Sequence, residues 1–433
     1  MDLTSRLRAI VRTGAPKREL TYEPDDGYRN AAVLDLDRVA TALGGRRVTT
    51  PFGDCMVIDR RYESDRWHGA VQIGDCELAD FASLTILDPA LAAAWGQTPR
   101  TIFIDLETTG LSGGAGTVAF LVGCGYFDFG AFQVRQFLLT SHSAERALLA
   151  AVAEFFEDAN LIVTYNGKTF DVPVMETRWL FHRMDPPLEG VPHFDMLHPA
   201  RRLWRHDEQG CRLSTLERTL FDVRRLGDVP GMEIPSRFFR FVRSGDPCPL
   251  EPVLEHNRTD LVSLAAVTAR AMKLAREGHD ACRDGTEALA LGKVFEKVQL
   301  TARAEACFRR AASAADHTVR GEALYRLAVR LRRDRRFEEA AAVWRELLAL
   351  SEPRSGRGGL LADLRQVATE ALAIHHEHRA KDLAGARELA LAALDEAGTR
   401  GDDLRYRLAR LDRKLAKKRE AARERPPYMF GIG

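Results

Sequence analysis

The chain has 433 residues, a net charge of +1 and 29% charged residues, values typical of a soluble globular protein with two or three domains. The net charge excludes general electrostatic attraction to nucleic acid but not a local basic groove. Seven cysteines without a CxxC pair argue against a disulfide framework or a structural zinc site and indicate a reducing cytoplasm. No apolar run reaches the length of a membrane span, and the N-terminus lacks the apolar core of a signal peptide. We therefore expect a cytoplasmic protein that does not contact membranes.

Residues 1–95 form a predicted N-terminal extension that mixes charged segments with short strand-like pieces. A helix is predicted from Ala31 to Leu43, because Gly44 and Gly45 would end it. Strand patterns cover residues 55–59 and 69–73. These patterns indicate no function for the extension.

Residues 96–277 alternate strand and helix patterns, which predicts an α/β domain. Tight, glycine-containing connections join the first three strands and predict an antiparallel meander. A helix then leads to a fourth strand, so we expect a mixed sheet with flanking helices. The predicted strands are 101–105, 117–126, 132–139 and 161–165, and the predicted helices are 143–156, 172–183, 196–206 and 252–275.

Residues 280–423 lose the strand signal and predict an all-α helical-repeat domain, followed by a tail at 424–433. Three segments each have the pattern of a helix pair in which a small residue opens the second helix. They are 287–314, 322–350 and 369–397. The period and the small residues resemble tetratricopeptide repeats, which bind protein partners. A plain helical bundle is the alternative.

The segment that carries chemistry is Asp105-Leu-Glu-Thr-Thr-Gly110, at the end of the first α/β strand. Alternation along a strand places Asp105 and Glu107 on one face. Neighbouring carboxylates raise each other's pKa unless a cation lies between them, and hard oxygen ligands suit Mg²⁺ or Mn²⁺. The Asp-x-Glu pattern alone is equally compatible with two solvated acids.

Two later segments supply further acids and a histidine. Asp171 ends the segment Tyr165-Asn-Gly-Lys-Thr-Phe-Asp171 and opens a predicted helix just after a buried strand. His256 and Asp260 are four residues apart on the predicted helix 252–275 and therefore share a helix face. A histidine one turn from an acid favours a catalytic role over a structural one.

Taken in order, these three segments resemble the motifs of the DEDD 3′–5′ exonuclease superfamily, which has a ribonuclease-H-like fold. Residues 105–117 and 194–204 are similar to its YprB-like branch, and the resemblance covers about residues 50–275. It implies that four acids bind two divalent ions, Mg²⁺ or Mn²⁺. These acids are Asp105, Glu107, Asp171 and Asp260.

Four such acids are what two-metal phosphodiester hydrolysis requires, because one ion activates a water and the other stabilises the leaving 3′ oxygen. The chain departs from the superfamily at the last motif. The superfamily has Tyr-x-x-x-Asp or His-x-x-x-x-Asp, whereas this chain has His256 with the tyrosine spacing. The spacing keeps His256 on the face of Asp260, so we predict that His256 is the general base.

Nucleic-acid contacts are predicted around these motifs. Lys168 could contact the scissile phosphate or be a solvated loop lysine, and Trp204 could stack on a base beside the cations that precede it. Asp195 could orient a ligand near the metals or cap the following helix. The predicted contacts are Thr108, Asn166, Lys168, Arg201, Arg202 and Trp204.

The sequence thus predicts a metal-dependent 3′–5′ exonuclease that acts on single-stranded or frayed DNA or RNA ends. The helical repeats would bind a protein partner. The alternative is a non-catalytic nucleic-acid-binding scaffold, although the presence of all four acids argues against a dead enzyme. No base-reading element distinguishes DNA from RNA.

Overall fold

A computed structural model of the protein describes residues 35–78, 80–93, 100–110, 116–205, 210–350, 360–397 and 402–423. The predicted tail at 424–433 and the first residues of the helix predicted at 31–43 lie outside the described residues. Among the described residues, no helix combines the length and apolar character that crossing a membrane requires.

A seven-stranded mixed sheet forms the centre of the N-terminal part of the molecule, with strand order β1-β2-β7-β6-β5-β8-β9. The pairs from β1 to β5 are antiparallel, and β8 pairs in parallel with both β5 and β9. The predicted meander is therefore β5-β6-β7. The strands are β1 Arg46–Thr50, β2 Gly53–Glu63, β5 Thr101–Thr108, β6 Ala119–Asp128, β7 Ala131–Leu138, β8 Leu161–Thr164 and β9 His193–Asp195. A separate hairpin consists of β3 Trp67–His68 and β4 Val71–Gln72.

The N-terminal strands belong to this same sheet. Strand β2 pairs antiparallel with β7, from Met56 opposite Leu138 to Glu63 opposite Ala131. Strand pairing therefore connects residues on both sides of the predicted boundary between residues 95 and 96. Sequence patterns could not show this, because the pairing joins strands that are distant along the chain.

The helices cover both faces of the sheet and then continue alone to the C-terminus. They are α1 Leu36–Leu43, α2 Ala82–Leu87, α3 Glu145–Phe156, α4 Asp171–Phe181, α5 Leu197–Trp204, α6 Leu213–Phe221, α7 Ile234–Ser244, α8 Glu251–Glu277, α9 Gly285–Lys297, α10 Thr301–Ala311, α11 His317–Arg333, α12 Phe337–Leu348, α13 Leu360–His375, α14 Leu383–Ala397 and α15 Asp402–Arg423. The predicted architecture, a mixed sheet with flanking helices followed by a helical region, is confirmed.

The two faces of β5 contribute to different cores, as alternation along a strand requires. Ile102 and Ile104 pack with helices α3, α4 and α7. Phe103 packs on the opposite side with residues of α5, α6 and α8. Asp105 and Glu107 follow Phe103 at two-residue steps, so their side chains point toward the face that α8 covers.

Helix α8 links the sheet to the helical region. It starts with Glu251 and Pro252, residue types that favour a helix N-terminus. Its first turns contact the sheet through Asn257, and its later residues share one continuous core with α9, α10 and α11. The three predicted helix pairs correspond to α9–α10, α11–α12 and α13–α14.

Candidate active site

Strand β5 presents Asp105 and Glu107 next to the first half of α8. The Asp105 carboxylate accepts a hydrogen bond of 2.8 Å from Nδ2 of Asn257, which also donates to the Asp105 backbone oxygen at 3.0 Å. Both acids are partly buried. The strand pairing shifts register between Glu107 and Thr108, so the ladder becomes irregular directly after the second acid.

Asn257 is a positioning residue that sequence reasoning missed. It is fully buried, and its Oδ1 accepts a hydrogen bond of 2.8 Å from Nε2 of Gln136 on β7. A Cβ atom at Gly123 on β6 would lie 2.1 Å from that same Oδ1. Gly123 therefore gives α8 room to approach the sheet and hold Asp105. The available signal was the asparagine inside the motif that contains His256 and Asp260.

Asp171 is the first residue of α4 and is 8% exposed. Burial raises its pKa to about 7, although hydrogen bonds from the backbone amides of Asp171 and Leu106 partly oppose the shift. The bond from Leu106 brings Asp171 to the end of β5. The structure therefore places Asp171 beside the strand that carries Asp105 and Glu107.

Asp260 lies on α8 and is engaged by an arginine. Arg225, in the loop after α6, donates from Nη2 to Oδ1 of Asp260. The same guanidinium donates to both carboxylate oxygens of buried Glu217, at 2.6 and 2.8 Å. Arg225 also lies 3.3 Å from Asp228. Neither Arg225 nor Glu217 belongs to the three acid-bearing motifs.

The four acids are called the acid cluster below, and their charges raise the pKa values of the two acids on β5. Burial raises the pKa of Asp105 well above its usual value, and the charges of Asp260, Glu107 and Asp171 raise it further. Burial also raises the pKa of Glu107, again with contributions from Asp260 and Asp171. Arg225 lowers the pKa of Glu107 in part. The acid cluster therefore carries more negative charge than its surroundings neutralise.

The chemistry of the acid cluster fits a divalent metal, because clustered carboxylates are the ligands that Mg²⁺ and Mn²⁺ prefer. A cation bound among the carboxylates would stabilise their charged forms and so lower the raised pKa values. In their present arrangement, however, the described residues contain no group of three or more His, Cys, Asp or Glu side chains set to hold a metal ion. Arg225 pairs with Oδ1 of Asp260 instead.

His256 faces the acid cluster and is oriented by a second acid. Its Nδ1 lies 2.6 Å from Oδ1 of Asp228, and its Nε2 lies 3.7 Å from Oδ2 of Asp260. Partial burial raises the pKa of Asp228, but the hydrogen bond from His256 and the charges of His256 and Arg225 outweigh burial and lower this pKa overall. The contact with Asp228 engages Nδ1, which leaves Nε2 on the side of Asp260. Sequence reasoning missed Asp228, which no motif includes.

Asp195 organises the loop before α4. Its carboxylate accepts hydrogen bonds from the backbone amides of Asn166 at 2.8 Å, Lys168 at 3.1 Å and Leu197 at 3.1 Å. The bond from Leu197 satisfies the first backbone amide of α5, and the other two fix the turn that leads to Asp171. Of the two roles open for Asp195, the structure shows the structural one.

The predicted nucleic-acid contacts have mixed surroundings. Trp204 is 7% exposed and its indole donates to Glu287 at 2.8 Å, which corrects the expectation that its ring is open for stacking. Arg202 donates to the Leu87 backbone oxygen, and Arg201 is exposed.

The other predicted contacts come from the motif loops. Lys168 forms an ion pair with Asp88 at 3.3 Å, so its ammonium group already has an acidic partner within the protein. Thr108 is buried and donates to the Gly110 backbone oxygen at 2.8 Å. Asn166 has a positive φ of 72° and accepts from Thr169 at 2.9 Å.

Comparison with known proteins agrees with this architecture. A model of the RNase H superfamily matches residues 102–272. The uncharacterized protein YprB of Bacillus subtilis (strain 168) is 31% identical over 373 residues, which cover 84% of this chain and 86% of YprB. The chain belongs to the YprB family. Its RNase H superfamily domain contains all four residues of the acid cluster, and membership of that superfamily points to a nuclease.

A solved structure with a partial likeness is the family B DNA polymerase from the hyperthermophilic archaeon Pyrobaculum calidifontis. Its TM-score is 0.32 and its sequence identity 14%. The match covers 47% of this chain, and the chain spans less than a third of the polymerase, 30% of its length. A likeness of that extent supports no inference about fold or activity.

Proposed function

We propose that the protein is a metal-dependent 3′–5′ exonuclease that hydrolyses phosphodiester bonds of single-stranded or frayed DNA or RNA. The observation that carries the proposal is the acid cluster, in which burial raises the pKa values of Asp105, Glu107 and Asp171, and repulsion from the other acids adds to the shifts of Asp105 and Glu107. Such a cluster is costly for the folded protein unless cations compensate it. Its position within an RNase H superfamily domain supports a nuclease.

Each residue of the site has a proposed task. The acid cluster would hold two ions, Mg²⁺ or Mn²⁺, which when bound supply the charge that activates water and stabilises the leaving oxygen. Asn257 fixes Asp105 through the hydrogen bond at 2.8 Å. His256 would accept the proton of the attacking water at Nε2, because Asp228 holds its other nitrogen at 2.6 Å.

The test uses purified full-length protein with Mn²⁺ and 5′-labelled DNA and RNA oligonucleotides. We expect stepwise shortening from the 3′ end, abolished by EDTA and blocked by a phosphorothioate linkage at the 3′ end but not at the 5′ end. Asp105→Asn should lower the rate by roughly 10³-fold, because a metal-binding carboxylate is lost. Asp128→Asn, the same change at an exposed acid on β6, is the matched control and should retain the wild-type rate.

Two results would contradict the proposal. The first is the absence of metal-dependent shortening on every DNA and RNA substrate. The second is a rate in Asp105→Asn that equals that of the wild type.

The competing function, a nucleic-acid-binding scaffold without turnover, is favoured by one observation. Arg225 contacts Asp260, and a guanidinium in that place compensates a carboxylate without a metal. In a scaffold, strand binding would persist in EDTA, no oligonucleotide would shorten, and Mn²⁺ would not bind the acid cluster.

A further inference from the structure

Trp67 differs from the other tryptophans that the structure describes. Trp179, Trp204 and Trp344 are between 0% and 7% exposed, whereas Trp67, on the short strand β3, is 62% exposed. Leaving an indole in water sacrifices the large hydrophobic gain that burial would give. An exposed tryptophan beside a cleft is therefore a candidate contact for a ligand.

The cleft has a volume of about 370 Å³, which is within the range of sites that enclose a drug-sized ligand or a nucleotide. Trp67 lines one part of it, and the loop after α6 lines another with Leu226, which is 95% exposed. Helix α8 contributes His256 and Thr259. Both Trp67 and Leu226 lie outside the three acid-bearing motifs.

The cleft borders the acid cluster through residues that contact Asp260, although none of the four acids lines it. His256 lines the cleft, and its Nε2 lies 3.7 Å from Asp260. Asp228 and Arg225, which contact His256 and Asp260 respectively, also line it. A strand whose terminal phosphodiester reached the acid cluster would therefore have the cleft next to it.

The charges of the cleft are largely paired within the protein. Arg225 is held by Glu217 and Asp260, and Arg224 lies 3.4 Å from Asp222. Glu255 receives a hydrogen bond of 2.7 Å from Arg258. Net attraction for a phosphate backbone is therefore weak along these walls. The cleft also exposes apolar surface, which suits the flat face of a base.

We propose that this cleft binds the unpaired nucleotides at the 3′ end of a single strand, with the indole of Trp67 stacked on a base. The inference rests on the proposed function, because the acid cluster must be the place that the strand reaches. Stacking is tolerant of sequence, since every base has a π-face. The site would accordingly accept any of the bases.

The test measures binding of 5′-fluorescein-labelled dT10 and rU10 to the full-length protein by fluorescence anisotropy. It is done in EDTA and in Ca²⁺, a hard oxygen-binding cation with looser geometry than Mg²⁺, over a series of salt concentrations. Trp67→Ala should weaken binding by about tenfold or more. The slope of log affinity against log salt should not change, because tryptophan carries no charge. Trp67→Phe should restore most of the affinity.

Phe181→Ala is the matched control. Phe181 on α4 is 66% exposed, close to the value for Trp67, and does not line the cleft. This variant should bind as the wild type does. Thermal midpoints of all variants check that they are folded. If Trp67→Ala does not fold, Trp67→Phe still tests the inference.

The outcomes separate this inference from the proposed function. If the wild type shortens 3′ ends but Trp67→Ala binds and degrades equally well, the stacking role is wrong and the exonuclease stands. If the wild type neither binds nor degrades any oligonucleotide, both are overturned. If Trp67→Ala changes only the oligomeric state seen by light scattering, the cleft is a protein-docking surface and the inference fails.

Discussion

Two buried carboxylate sites of this chain have opposite electrostatic surroundings. Glu377, in the π-helical turn His376–Ala380, is 2% exposed. It accepts hydrogen bonds from Arg407 at 3.2 Å, Arg410 at 2.7 Å and Lys414 at 2.8 Å, all on α15. Burial raises its pKa, but the hydrogen bonds from Arg410 and Lys414 outweigh burial and bring the pKa to about 2.

The acid cluster has the reverse balance. Asp171 is buried to a similar degree, yet its pKa rises to about 7. Arg225 lowers the pKa of Glu107, but the charges of Asp260, Asp171 and Asp228 raise it. A compensated carboxylate stabilises the packing of its helices, whereas an undercompensated cluster destabilises the empty site and favours a cation. Cation compensation therefore distinguishes Glu377 from the acid cluster.

The largest expected effect concerns pH in metal-free protein. In EDTA, the folded state keeps a proton on Asp171 up to pH about 7, whereas the unfolded chain loses it near 3.8. Between these values the unfolded state binds fewer protons, so stability falls as pH rises, by at most about 4 kcal/mol. Asp171→Asn should remove this dependence, measured as the difference between wild-type and variant unfolding curves from pH 4.5 to 8. Identical pH profiles would show that Asp171 titrates normally.

The second effect separates activity from stability. His256→Ala should depress nuclease activity around 10²-fold near neutral pH, because the acceptor for the proton of the attacking water is lost. Asp228→Asn should also lower the rate, since it replaces the carboxylate that lies 2.6 Å from Nδ1 of His256 and orients the ring. The rates are measured on the 5′-labelled oligonucleotide with saturating Mn²⁺. A full rate in His256→Ala would assign the base to another group.

The smallest effect concerns the compensated acid. Glu377→Gln should lower the free energy of unfolding by about 2 kcal/mol, because Arg407, Arg410 and Lys414 lose a charged partner. Urea denaturation followed by circular dichroism measures the change. Nuclease activity should stay at the wild-type level at temperatures below the transition. Loss of activity without loss of stability would mean that Glu377 is coupled to the active site.

Much of the architecture was predictable because its signals are local. The meander β5-β6-β7 followed from alternating segments with tight turns, and α8 followed from an uninterrupted amphipathic pattern. The three helix pairs followed from repeated helical periodicity. The pairing of β2 with β7 was not predictable, because the sequence of a strand does not specify which distant strand it pairs with.

The contacts around the acids were less accessible. The arginines that precede Trp204 favoured a stacking role for it, but its indole N–H donates a hydrogen bond of 2.8 Å to Glu287 on α9. Arg225 and Asp228 lie in the loop after α6, outside the three acid-bearing motifs, yet both contact groups of the motif that holds His256 and Asp260. Long-range packing between α6, α8 and the loop that joins α6 to α7 decided their roles.

The sequence by itself determined which residues carry charge, which segments alternate, and that Asp105 and Glu107 share a strand face. These properties depend on backbone periodicity, which extends over a few residues. Only the tertiary structure decided which charges are compensated. Arg225 reaches Asp260 while three cations of α15 surround Glu377, because compensation depends on distances between elements far apart in the chain.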